Sequence, residues 1–222
     1  MLLYLLGSSF GLWETIAFVL AYLLALVIAF SAHEFAHAFS AYKFGDITPK
    51  LKGRLTLNPF AHIDLVGIFC LMIFGFGWAK PVEINPLKFK RFKLAMTTVS
   101  LAGVVTNLVI AFLSSGLLFF GLEFGWFEGS TLIFSFLYYF LWMLVTVNLT
   151  LFVFNLLPIF PLDGFNLLQT FLGYRNKFMQ FLIRYGTIIL LILIITPLFG
   201  IIHGAVTGFF MDIFDKFWGL FI

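Results

Sequence analysis

Two histidines four residues apart, with a glutamate between them, carry the first chemical signal in this chain. His33, Glu34 and His37 form an H-E-x-x-H pattern within Ser31-Ala32-His33-Glu34-Phe35-Ala36-His37. On a helix, positions i and i+4 share a face. Both imidazoles would therefore point the same way, one turn apart, as nitrogen ligands for zinc. Glu34 would stand beside the metal, where a carboxylate serves as a general base. In a water-soluble chain this pattern implies metal-assisted hydrolysis. Here it closes an apolar run that starts near Thr15, so the chemistry is placed inside a membrane.

The composition requires that setting. The 222 residues are 62% hydrophobic, 20% aromatic and 10% charged. A soluble domain carries about 25% charged residues, so this chain cannot coat a soluble surface. The expected fold class is an all-α polytopic membrane protein in one domain, 1–222, with no room for an appended soluble domain. Nine of the thirteen basic residues fall between 43 and 93, against Asp46, Asp64 and Glu83. Basic residues flanking apolar spans mark the cytoplasmic side rather than a nucleic-acid surface. The lone Cys70 sits in apolar sequence and reads as a small buried hydrophobe.

About four full transmembrane helices must position the motif: residues 15–42, 94–122, 131–157 and 181–199. The opening residues 1–12 are too short to span and read as interfacial. Residues 63–78 are also short, glycine- and aromatic-rich, and lie between two basic stretches. A re-entrant hairpin or loop that returns to the same side satisfies both facts, and the glycines favour a hairpin over a straight helix. Residues 201–222 mix Asp212, Asp215 and Lys216 with apolar sequence. They read as an amphipathic helix at the outer interface, or as an extra span.

Two histidines do not complete a zinc site, for which three protein ligands plus water are expected. Charge topology puts Glu14, Glu123, Glu128 and His203 toward the outer side. It leaves Asp46, His62, Asp64, Glu83 and Asp163 at the inner end of the first span. Asp163 stands out. Pro158 and Pro161 disrupt the end of a helix just before it, and Gly164 permits a sharp turn after it. Asn107 reads as a packing residue of the third helix, and His62 as a turn-capping or substrate-positioning residue.

The pairing of H-E-F-A-H with the downstream Asn155-Leu156-Leu157-Pro158-Ile159-Phe160-Pro161-Leu162-Asp163-Gly164 resembles the site-2 protease family of intramembrane zinc metalloproteases. The stretches 58–64 and 77–82 resemble its compact bacterial branch without regulatory domains, and the likeness covers about 15–173. One departure is Gly103-Val104 where the family often has Gly-Pro. A modest packing difference is expected there. The resemblance implies one Zn2+ per chain held by His33, His37 and Asp163, with Glu34 as catalytic acid/base. It places Asn155 beside the reacting carbonyl as a further catalytic group. It also implies a transmembrane-helix protein as substrate, no nucleic-acid partner, and a bacterial plasma membrane with the active site toward the cytoplasm. A substrate helix must unwind to be cut, and an apolar hairpin edge within 63–78 could pair with the freed backbone. A non-catalytic zinc-containing scaffold and a transporter are the competing classes. Transporters show paired halves, and neither motif is repeated here.

Overall fold

In the computed structural model, which describes residues 11–74, 77–128 and 131–222, every regular element is helical. Three long helices form the centre: α1 (Leu12–Lys43), α4 (Phe92–Glu123) and α5 (Leu132–Leu156) pack pairwise on one another. Between α1 and α4 lie the short helices α2 (Thr48–Leu51) and α3 (Leu65–Phe74). After α5 come α6 (Asp163–Leu172), α7 (Lys177–Ile195) and α8 (Pro197–Trp218). Of these, α1, α4, α5, α7 and α8 are long and apolar enough to cross a membrane. The expected interfacial stretch 1–12 falls, up to residue 10, outside the described residues, as do Gly75 and Phe76 of the expected hairpin.

The central packing is visible as two rows of small residues. On α1, Ala17, Ala21, Ala25, Ala29, His33, His37 and Ala41 recur every fourth residue and are all buried. On α4 the matching row is Ala95, Val99, Gly103, Asn107, Ala111 and Ser115. Helices in lipid gain no hydrophobic energy from meeting one another. Small residues at fourth positions let their backbones approach and gain dispersion and hydrogen bonds instead. The histidines of the motif are thus members of the α1 row, which aims them at α4.

The segment between the basic stretches does return on itself, but not as a strand hairpin. Residues 65–74 form α3, a helix of 10 residues, about 15 Å long and half the depth of a bilayer core. Helix wins because a strand edge at that depth would leave its amides unpaired, whereas a helix satisfies them internally. The Asp64 carboxylate accepts a hydrogen bond from Gly67 N at 2.9 Å and caps the helix start. Lys80 N then donates to His62 O at 2.8 Å, closing the loop where it began. Gly67 is needed because any Cβ there would overlap the Trp78 backbone. After this loop, residues 77–85 form neither helix nor strand.

The C-terminal helix also differs from the favoured expectation. Phe199 of α8 stacks edge-on to Phe154, near the inner end of α5, with ring centroids 5.7 Å apart. Further along, Phe210 and Phe214 pack with Ala111, Val145 and Leu149. At the far end, Trp218 covers Gly116, and its Nε1–H donates to Ser115 Oγ at 3.0 Å near the outer end of α4. The tail therefore runs along the bundle from its inner toward its outer level, as an extra span does. His203, expected near the outer end, lies beside Thr150 in the inner half of α5, Nε2 to Oγ1 at 2.9 Å. Meanwhile α7 docks on α6 through Phe165, Met179 and Leu182. The charge pattern could not show this, because α7 and α8 are separated by one residue, Thr196, and both are apolar.

This arrangement fixes which chain segments share a membrane face. In a Cys70→Ser background, Glu128→Cys and Ile222→Cys should react with a membrane-impermeant maleimide from the same side, and Lys52→Cys only from the other. Labelling of Ile222→Cys together with Lys52→Cys would contradict the path of α8.

Candidate metal centre

His33 and His37 lie roughly 15 and 9 Å from the inner end of α1, at 1.5 Å per residue. Their ring nitrogens meet the carboxylate of Asp163, the first residue of α6. His33 Nε2 and His37 Nε2 are 3.0 Å apart, and each is 3.2 Å from Asp163 Oδ2. Among the described residues, this is the one trio of His, Cys, Asp or Glu side chains grouped closely enough to hold a metal ion.

The far sides of the rings decide what the near sides offer. His33 Nδ1 lies 2.5 Å from Asn107 Oδ1, and His37 Nδ1 lies 2.7 Å from Val99 O. Both partners only accept, so each Nδ1 carries the proton and each Nε2 presents a lone pair. Two lone pairs and a carboxylate oxygen at such distances repel unless positive charge sits among them. A tetrahedral zinc with N and O bonds near 2.0–2.1 Å has ligand–ligand edges of about 3.3 Å, close to what is found. Gly103 supplies the room. A Cβ built on it would stand 2.5 Å from His33 Cε1 and 2.6 Å from His37 Nε2. The donor set, its protonation and the cradle beside it all fit a zinc ion.

The turn that delivers Asp163 departs from its expected logic in one respect. Helix α5 stops at Leu156, residues 157–162 turn, and α6 restarts at Asp163, as the two prolines imply. Gly164, however, does not adopt a left-handed conformation. It is glycine because a Cβ would overlap the carbonyl oxygens of Leu156 and Leu157. Close approach of α6 to the end of α5, rather than turn conformation, requires it.

Glu34 faces the same cavity, of about 190 Å³, which is also lined by Met96, Ser100, Asn155, Pro161 and Asn166. Its Oε2 accepts a hydrogen bond from Val82 N at 2.9 Å. Val82 belongs to an irregular strap, residues 77–85, whose Pro81 and Ile84 complete the cavity wall. The strap is pinned at both ends, by Lys80 N to His62 O and by Asn85 N to Asp46 Oδ2 at 2.6 Å. Asp46 is fully buried, and its other oxygen accepts from Thr48 N at 2.9 Å. The Asn155 amide donates to Leu151 O at 3.1 Å within its own helix, and the side chain borders the cavity.

The remaining inner-side candidates have other partners. His62 donates from Nε2 to Thr56 O at 2.7 Å inside its turn, Glu83 pairs with Lys52, and Asp64 caps α3. Asn107 corrects the packing expectation, because it holds the imidazole of His33. Gly103 floors the site. Asn148, the partner of Asn107, was not legible as a site residue. Its signal was the cost of an amide inside an apolar span.

The family description "Peptidase family M50" matches residues 124–194. Over 183 residues the chain is 43% identical to the Bacillus subtilis protein named "Putative zinc metalloprotease YwhC", covering 79% of this chain and 80% of that one. It is 34% identical over 174 residues to a Mycolicibacterium smegmatis protein given the same description under the name Rip2, covering 74% of this chain and 62% of that relative. The Rip2 protein of Mycobacterium tuberculosis H37Rv is 30% identical over 193 residues, covering 80% and 69%. No solved structure matches the chain.

The cradle makes a direct prediction. Gly103→Ala should weaken metal binding about 10- to 100-fold, the usual cost of disturbing groups that orient metal ligands. Gly116→Ala, which meets Trp218 instead, should leave it unchanged. Metal content after dialysis against a graded chelator reads both.

Proposed function

Because the chain belongs to peptidase family M50, the site-2 protease family, we propose that it is an intramembrane zinc endopeptidase that cuts transmembrane segments of other membrane proteins. The observation that carries this reading is the meeting of His33, His37 and Asp163 within 3.2 Å of one another beside Glu34, in a cavity between membrane-spanning helices. His33, His37 and Asp163 would hold the zinc. When bound, zinc supplies a Lewis acid that lowers the pKa of water and polarises a carbonyl.

The chain's own residues supply the rest. Glu34 takes the proton from the attacking water and delivers it to the leaving amide nitrogen. Its Oε2 accepts from Val82 N–H, and Oε1 is left for the proton. Asn155 borders the cavity with its amide, where it can hold the substrate carbonyl as charge develops. A substrate helix has its amides paired internally and must unwind to reach Glu34. Pro81, Val82 and Ile84 of the strap line the cavity, and in this reading the strap backbone pairs with the unwound segment. The basic stretch 43–93 supports a cytoplasmic setting for the site, and the bacterial relatives support a bacterial plasma membrane.

Glu34→Gln tests the assignment, because it removes the base and keeps the shape. Zinc content should be unchanged, and cleavage should fall by at least about 10²- to 10⁴-fold. Comparing membrane proteomes of cells with parent and Glu34→Gln protein should show uncut substrates accumulating in the variant. Equal fragment patterns would reject the proteolytic role.

A further inference from the structure

Asn107 and Asn148 are both fully buried within apolar helices, α4 and α5. Amides there are costly unless every donor and acceptor is used. The hydrogen bonds form one directed chain. Asn148 Nδ2 donates to Leu144 O at 2.8 Å, one turn back on α5. Its Oδ1 accepts from Asn107 Nδ2 at 2.8 Å. Asn107 Oδ1, the atom left over, faces His33 Nδ1 at 2.5 Å.

Each link fixes the next. Leu144 O can only accept, so Asn148 must turn its NH2 toward it and its oxygen toward Asn107. Asn107 must then turn its NH2 toward Asn148 and its oxygen toward His33. An oxygen there keeps the proton on His33 Nδ1 and leaves Nε2 unprotonated. Among the described residues, Asn148 is the one partner that holds the Asn107 amide in this sense. A flipped amide would offer NH2 to Nδ1 and favour the tautomer with Nε2–H, which cannot ligate. His37 needs no such device, because Val99 O has one orientation.

We propose that Asn148, through Asn107, sets the tautomer of His33 and thereby the affinity of the site for its metal. Both asparagines are positioning residues, and the inference rests on the reading of His33 as a zinc ligand. The alternative is two amides that only join α4 to α5. That role predicts lower stability with normal metal affinity in the folded protein.

The test uses the full chain in detergent, with Zn2+ titrated against a chromophoric chelator and folding monitored by helicity and gel filtration. Asn107→Leu should weaken zinc binding about 10- to 100-fold and Asn148→Leu about tenfold. Asn107→Asp, which still accepts from Nδ1–H, should stay within a few-fold of the parent, and so should Asn148→Asp, which still accepts from Asn107. Folded leucine variants with the parent's affinity would overturn the proposal, as would a folded Asn107→Asp as weak as Asn107→Leu. If the leucine variants fail to fold, ¹⁵N-histidine spectra of the zinc-free parent decide. They should show a proton on His33 Nδ1, assigned through His33→Gln, and a bare Nδ1 there would equally overturn it. His33→Ala separates the two readings. Loss of zinc in it with none in Asn148→Leu rejects the relay alone, whereas retention rejects the metal-site assignment beneath it.

Discussion

A polar atom at membrane depth must find its partner inside the protein, because lipid offers none. Two imidazoles and two amides in the central helices face this constraint together, and one missing side chain resolves it. Gly103 lets the α4 row settle against the α1 row at the height of His33 and His37. That closeness brings Val99 O within 2.7 Å of one ring and Asn107 within 2.5 Å of the other. With both outer nitrogens taken, the inner nitrogens are left as a converging lone-pair surface. The same contact satisfies the buried groups and shapes the candidate metal centre.

The other two chemical groups are positioned by backbone. Asp163 is held because α6 presses its first turn against the end of α5, a fit that admits only glycine at 164. Glu34 meets the strap through one amide, Val82 N–H, and the buried Asp46 carboxylate anchors the strap where α1 ends. These elements belong to the inner loops, where chain can be extended and still reach water or protein donors. The two histidines thus come from the membrane bundle, and the carboxylates from or against segments at its inner end.

How much of this could be read from the sequence follows from the range of each signal. The H-E-x-x-H pair was legible because i and i+4 share a face by helix geometry alone, and Asp163 because two prolines break a helix at a depth set by charge. The re-entrant return of 63–78 was legible from length and flanking charge. Its helical form was not, because glycine content suggests loops while burial demands satisfied amides. Asn107 was visible as a residue but not as a partner of His33. That contact depends on how far α4 slides along α1, which no local pattern fixes. Asn148 lay a further helix away. The path of α8 was hidden for the same reason, since hydropathy reports that a segment is apolar and not which face it covers.

That path matters to the centre although α8 contributes no group to it. Val104 and Phe152, on the flank of α4 and α5 near the relay, are buried against Ile202, Val206 and Phe210. Thr150, two residues beyond Asn148, meets His203 from the same side. Hydrogen bonds strengthen where water is excluded, and an amide loses its fixed sense where water can replace its partner. A relay that works by amide orientation needs a dry flank. The cavity beside Glu34 and the strap meets the imidazoles from the inner side, while α8 covers the flank of α4 and α5 beside the relay.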